Sequence, residues 1–158
     1  MNLAHLHLII VHVPIVITPL ALAILLLGLS RDQQNLQQLS YALLVICGLS
    51  AAAASWTGDG AEETVEHLAG VSERVIENHE EAAELTVWLC AASGVLAAVG
   101  LFMRASTAAR MVGLLTVLVT TASAASLGYT GYLGGKIRHP ETSSSTQIGS
   151  SEMQEDND

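Results

Sequence analysis

Histidine is the residue type in this chain with the most specific chemistry, because imidazole binds metal ions and haem iron and titrates near neutral pH. The 158 residues contain six of them: His5, His7, His12, His67, His79 and His139. They stand at the start of the first apolar run, before the third run and after the fourth. If the runs cross a membrane alternately, all six histidines reach one face. An ionisable side chain at a membrane is costly unless it faces water or protein, so this clustering indicates a functional site.

Four runs without a charged residue are long enough, or nearly so, to cross a bilayer. A helix rises about 1.5 Å per residue, and the hydrocarbon core is about 30 Å thick. The predicted spans are residues 8–29, 39–56, 85–103 and 111–133. They predict an all-α fold, a four-helix transmembrane bundle with up-down topology, in a membrane domain of residues 1–139. The glutamate-rich residues 57–84 predict a short extramembrane helical segment between spans two and three. Residues 140–158 predict a disordered acidic tail.

The charges differ strongly between the two faces. The face with the two short loops carries Arg31, Arg104 and Arg110 against a single acid. The histidine face carries 14 acidic residues against three basic ones, which gives a net charge of −11. Lysine and arginine alone set orientation, and they are equal in number on the two faces. Because the short-loop arginines are almost unopposed, we expect that face to be cytoplasmic and both termini to lie outside.

Helical spacing indicates which histidines face the bundle. His5 and His12 are seven residues apart and share a stripe, whereas His7 and His12 diverge by roughly 140° at about 100° per residue. His12 lies inside the first span, where an apolar residue would be expected. His79 continues the apolar stripe of the third helix, which predicts that it points inward about one turn outside the membrane. That stripe consists of Val75, His79, Ala83, Thr86 and Cys90.

Small residues recur in spans two and four and allow two interpretations. They let helices pack closely, as in many membrane proteins, or they leave room for a flat cofactor. The residues are Gly48, Ala52 and Ser55, then Ser123, Ala124, Gly128, Gly131 and Gly135. Cys47 and Cys90 are expected at depths that differ by several ångströms and form no C-x-x-C motif. Packing is therefore a simpler role for them than a disulfide.

Residues 7–15 read H-L-I-I-V-H-V-P-I, which resembles the opening H-P-x-x-x-H-F-P-I of a bacterial family of four-span membrane proteins of unknown function. That family also has a glycine after span two, a histidine at the start of span three and a Gly-Gly followed by histidine after span four. The matching residues here are Gly58, His79-Glu80, Gly134-Gly135 and His139. The resemblance covers about residues 5–140. It implies a multi-pass protein of the bacterial cytoplasmic (inner) membrane. It favours His7 with His12 as the functional pair, where spacing alone favours His5 with His12.

Three functions are compatible with these residues. The first is binding of b-type haem for electron transfer near the outer face, since haem needs axial ligands, an apolar slot and cations for its propionates. The candidate cofactor-binding residues are His7, His12, His79, His139, Arg74, Arg138 and Gly131. The second is a site for a transition-metal ion (Cu, Zn or Fe). Its candidate ligands are His7, His12, His79, Glu80 and His139. The third is a structural or anchoring subunit without a cofactor. We expect His12 and His79 to approach each other across the bundle.

The expected partners follow from the same composition. The lipid bilayer is the first, and a basic soluble redox partner would suit the acidic histidine face. Homo- or hetero-oligomers are compatible with the sequence. The acidity of the exposed parts disfavours nucleic-acid binding. The sequence has no Ser-His-Asp pattern, H-E-x-x-H motif or phosphate loop of a hydrolase, and it leaves open whether the protein is an enzyme.

Overall fold

Four long helices make up the computed structural model, which describes residues 3–65, 73–103 and 106–138. The helices are α1 (Leu3–Ser30), α2 (Gln34–Val65), α3 (Glu73–Phe102) and α4 (Thr107–Arg138). All four are long and apolar enough to cross a membrane. Each packs on the next along the chain, and α1 also packs on α4, which closes the bundle. The predicted all-α four-helix bundle is confirmed.

The bundle turns many large apolar side chains outward, and inside it hydroxyl-bearing residues lie beside a small apolar core that includes Leu25, Tyr41 and Leu44. Phe102 is 89% exposed, Leu49 69% and Leu118 68%, as expected of helices whose surroundings are lipid rather than water. The buried polar residues are Thr18, Ser40, Thr86, Ser93, Thr116, Thr120 and Ser123. Apart from that of Thr18, their hydroxyls bond to helix carbonyls or to other hydroxyls. The 2.6 Å hydrogen bond between Ser93 and Thr120 links α3 to α4.

The α1–α2 connection is a tight turn. Asp32 adopts a left-handed backbone conformation (φ 52°), which aspartate tolerates better than most residues. The turn closes with a hydrogen bond from the backbone N–H of Gln33 to the carbonyl oxygen of Gly28, 2.8 Å. The side-chain amide of Gln37 donates to the same oxygen at 3.1 Å. The end of α1 therefore has a defined C-cap.

The uncharged runs are the parts of the helices that can lie in hydrocarbon, and α2 and α3 extend beyond them at one end. Residues 57–65 are helical as predicted, but they continue α2 without a break. The charged first turns of α3 likewise run directly into its apolar part. His67 and the predicted tail lie outside the described residues.

Helices α2 and α3 approach each other closely through glycine. A Cβ atom on Gly48 would lie 3.1 Å from the carbonyl oxygen of Cys90 and 3.4 Å from the Cα of Gly94. At this crossing the close-packing interpretation of the small residues holds. Three glycines of α4 differ, because a Cβ on Gly128, Gly131 or Gly135 would meet nothing within 4 Å.

Candidate functional site

The four histidines that the structure describes lie at one end of the bundle, here called the histidine end. It is formed by the start of α1, the end of α2, the start of α3 and the end of α4. Leu3 of α1 packs against Gly60 of α2, and the side chains of Glu62 and Glu80 are hydrogen-bonded between α2 and α3. The up-down order brings these four chain segments together.

His7 joins α1 to α2. Its Nδ1 lies 2.9 Å from the carbonyl oxygen of Ala54 and 3.3 Å from the hydroxyl of Thr57. A carbonyl can only accept, so Nδ1 carries the proton and donates it. The ring lies against Gly58, where a Cβ would stand 3.8 Å from Cε1 of His7. His7 is half-buried in this contact.

His79 joins α3 to α4 in the same way. Its Nδ1 donates to the carbonyl oxygen of Thr130 at 3.1 Å. The ring packs on Gly134, where a Cβ would lie only 3.2 Å from Cε1 of His79. In both contacts the accepting carbonyl precedes the glycine by four residues. Since a side chain leans toward the N-terminus of its helix, glycine at that position leaves the carbonyl open to an imidazole.

Both contacts fix the tautomer that each imidazole adopts when it is neutral. With Nδ1–H engaged, a neutral ring keeps its lone pair on Nε2, which is the form that binds a metal. Histidine ligands generally donate their other ring N–H to a carbonyl or carboxylate, which fixes the tautomer and the ring orientation. His79 lies in the charged turns before the uncharged run. Burial lowers the pKa of His79, the hydrogen bond with Thr130 opposes that shift, and the charge of His7 adds to the lowering. His79 is thus held neutral, within electrostatic reach of His7.

His12 differs from His7 in the face of α1 on which it lies. Its side chain is exposed, and its Nδ1 bonds the carbonyl oxygen of Leu8 one turn earlier, at 2.5 Å. His5 is exposed as well, so the predicted common stripe of His5 and His12 is present and faces outward. The partnership of His12 with His79 stays a prediction, and the imidazole that the structure brings near His79 is that of His7.

Acidic side chains flank the histidine pair. The hydrogen bond with Glu80 raises the pKa of Glu62, and slight burial and the charges of Glu80 and Asp59 act in the same direction. Two carboxyl groups this close cannot both ionise without repulsion, so they tend to share a proton as the pH falls. Within the described residues no group of three or more His, Cys, Asp or Glu side chains could hold a metal ion.

The other predicted site residues are dispersed. Arg74 is exposed in the first turn of α3, and Gly131 is exposed on α4 with open space beside it. The predicted role of Gly131 beside a cofactor stays a prediction. The side chain of Arg138 and all of His139 lie outside the described part of the chain.

Sequence reasoning missed the carbonyl acceptors and the matching of the two histidine contacts. One pattern could have selected His7: it continues the buried stripe of α1, which comprises Pro14, Thr18, Ala21, Leu25 and Gly28. Gly58 and Gly134 came from the family pattern, without a role. Each of these glycines leaves space in which the imidazole of the neighbouring helix packs.

Four apolar helices with a polar end define this chain as a multi-pass helical membrane protein. The model of a family described as "Predicted membrane protein (DUF2231)" matches residues 4–140, and the chain belongs to that family. A search of curated proteins and a search of solved structures each found no match to this chain.

Proposed function

We propose that the protein binds b-type haem at its histidine end, with His7 and His79 as axial ligands, and passes electrons there. The observation that carries the proposal is the matched pair of Nδ1–H···O=C hydrogen bonds. They leave Nε2 of both rings with a lone pair. The two rings belong to different helical hairpins, α1–α2 and α3–α4, so one haem between the hairpins would take one ligand from each.

The number of available ligands favours haem over a bare metal ion. Haem iron needs one or two axial ligands from the protein, whereas structural and catalytic zinc sites use three or four. Two imidazoles whose Nε2 atoms are free of these hydrogen bonds suit the first requirement. Two axial histidines leave no open coordination position, which suits electron transfer better than oxygen chemistry. Arg74 and Arg138 remain the proposed partners of the haem propionates.

A transition-metal ion is the second candidate, and the Glu62–Glu80 pair favours it. Ionised carboxylates beside imidazoles form the mixed ligand set that iron, zinc and copper accept. Glu80 follows His79 directly in the chain, and Glu62 lies close to Glu80. Since the described side chains form no group of three ligands, this candidate needs a further ligand from the rest of the chain, for which His139 is the remaining predicted one. In this arrangement the ion would replace the proton that the two carboxyls share.

The test is the absorption spectrum of the detergent-purified protein, produced with ample haem supply. We expect a Soret band and a low-spin iron signal by electron paramagnetic resonance. His7→Ala and His79→Ala should each abolish the low-spin signal. His5→Ala and His12→Ala are matched controls, because both side chains are exposed, and they should keep it.

Three outcomes would decide otherwise. A colourless protein that carries one equivalent of iron, zinc or copper would select the second candidate. A colourless and metal-free protein that also fails to take up added haem would overturn both candidates. Loss of the signal in the His12 variant but not the His7 variant would move the ligand to His12.

A redox partner would meet an acidic surface, because the histidine face carries a net charge of −11. We propose that this partner is soluble and presents a basic patch. The rate of association should then fall as salt rises, since ions screen exposed charges. A rate that does not depend on ionic strength would exclude such a partner.

A further inference from the structure

A second cluster of reactive side chains lies in the middle of the bundle, away from the histidine end. Cys47 of α2 and Cys90 of α3 are both free and each is 2% exposed. Both line one gap, whose other walls are Thr18, Leu44, Ser93 and Ser123. The gap encloses about 150 Å³, including space open to the outside, and has no room for a water molecule. The two cysteines therefore line the same tight space between the helices, close enough to interact electrostatically.

The gap contains a polar atom that the fold leaves unsatisfied. Thr18 is 1% exposed, and its Oγ1 has no hydrogen-bond partner among the described residues. It lies beside the Cys47 thiol without forming a regular hydrogen bond. A buried hydroxyl without a partner costs free energy. A thiolate is a much stronger acceptor than a thiol, so the Thr18 hydroxyl would be satisfied if Cys47 lost its proton.

We propose that Cys47 and Cys90 form a buried site for a soft monovalent metal ion, of which Cu(I) is the physiological example. Thiolate sulfur is the ligand that Cu(I) prefers, and a neutral sulfur with a free lone pair is a soft second ligand. The site is separate from the histidine end and does not depend on the proposed haem.

The membrane interior restricts the charge of the loaded site. A metal site that carries a net charge is costly in hydrocarbon, so the ion and its ligands together should be neutral. The S–H bond of Cys47 breaks, its proton leaves to solvent and a Cu–S bond forms. Cys90 keeps its proton and adds a weaker second bond to the ion through a sulfur lone pair. One Cu(I) enters and one proton leaves, and no electron is exchanged.

The roles of the neighbouring hydroxyls then differ. The Thr18 hydroxyl donates to the Cys47 thiolate and stabilises the loaded state. Ser123 lies beside Cys90 but already donates its hydroxyl to the carbonyl oxygen of Val119 at 2.9 Å. Cys47 is therefore the sulfur whose negative charge the protein can stabilise.

The experiment is anaerobic titration of the full-length, detergent-purified protein with Cu(I) against bicinchoninate as a competing chelator. We expect one ion per chain and one proton released for each ion, so the affinity should rise with pH. Cys47→Ser and Cys90→Ser should each abolish this binding, and X-ray absorption of the wild type should show sulfur ligands only. The His7→Ala/His79→Ala double variant should retain it, which separates this site from the histidine end.

The Thr18 hydroxyl has its own matched pair of variants. Thr18→Val should weaken Cu(I) binding by about tenfold or more, since hydrogen bonds to charged groups are strong. Thr121→Val makes the same change on an exposed residue of α4 and should leave affinity unchanged. Unaltered binding by the Cys47→Ser/Cys90→Ser double variant would overturn the proposal. Release of two protons per ion would overturn the neutral site, and formation of a Cys47–Cys90 disulfide without Cu(I) binding would show a redox pair in its place.

Discussion

His7 and His79 make the same contact in two different helical hairpins. Each imidazole crosses to the next helix, donates Nδ1–H to a carbonyl oxygen and lies against the glycine four residues later. The distances are 2.9 Å to Ala54 and 3.1 Å to Thr130. The two halves of the bundle thus contain the same contact, and the charge of His7 contributes to lowering the pKa of His79.

The glycine under His79 should be sensitive to substitution. A Cβ in Gly134→Ala would lie 3.2 Å from Cε1 of His79, so the ring must move and its hydrogen bond weakens. Gly131→Ala is the control on the same helix, because nothing lies within 4 Å of its Cβ. It should stabilise the protein by about 0.5–1 kcal/mol, the usual gain of alanine over glycine in a helix. Thermal unfolding in detergent should rank Gly131→Ala above wild type and Gly134→Ala below Gly131→Ala. Equal effects of the two changes would mean that the ring contact is unimportant.

The α2–α3 crossing should not tolerate a methyl group. Gly48→Ala places a Cβ 3.1 Å from the Cys90 carbonyl oxygen and 3.4 Å from the Gly94 Cα. Both atoms belong to backbone, which cannot move aside without separating the helices. We expect a loss of about 1–3 kcal/mol in the free energy of unfolding. Gly128→Ala, which faces open space, serves as the control. A Gly48→Ala protein as stable as Gly128→Ala would contradict the close approach.

The hydroxyl pair in the centre of the α3–α4 interface should couple the two helices. Ser93 and Thr120 are 2% and 0% exposed, and their hydroxyl oxygens are 2.6 Å apart. A double-mutant cycle with Ser93→Ala and Thr120→Val should give a coupling of about 0.6–2 kcal/mol, the range found for hydrogen bonds between membrane helices. The Ser93→Ala/Thr121→Val cycle should give none, because the Thr121 hydroxyl bonds within its own helix. A coupling near zero in the first cycle would show that the bond adds nothing to stability.

Mild acidification should lower the stability of the folded protein, because the fold disfavours protonation of His79. Its pKa is lowered in the folded protein, chiefly by burial, so the unfolded chain binds a proton at a pH where the folded chain does not. The contribution is therefore complete above the ordinary pKa of 6.5 and is lost as the pH falls through 6.5 and below. Melting temperatures measured across this range should drop for wild type and less for His79→Asn. A wild-type profile that stays flat below 6.5 would mean that His79 is not held neutral.

The Glu62–Glu80 carboxyl pair should make stability change with pH in the opposite direction. The pKa of Glu62 is raised, first by its hydrogen bond with Glu80, so the folded chain binds this proton more readily than the unfolded chain. Its stabilising contribution is present below the ordinary pKa of 4.5 and is lost as the pH rises through the raised value. Glu62→Gln keeps a hydrogen-bond donor at all pH values and removes one charge, so its melting temperature at neutral pH should exceed that of wild type. Glu63→Gln, on the neighbouring exposed residue, should change it less. A lower melting temperature for Glu62→Gln would disprove the repulsion.

The sequence by itself determined the helices, their alternation and the end at which the described histidines gather. Long uncharged runs can satisfy their backbone in lipid only as helices, and short turns force neighbours to be antiparallel. Spacing also placed His5 and His12 on one stripe and turned His79 inward. Only the tertiary structure decided that His7 faces the bundle while His12 faces out, because periodicity gives angles along one helix but not the direction of its neighbours. The same reason hid the pairing of His7 with the Ala54 carbonyl and of His79 with that of Thr130. Each contact joins residues some fifty positions apart, and its acceptor is backbone, which leaves no mark in the sequence except the glycine that uncovers it.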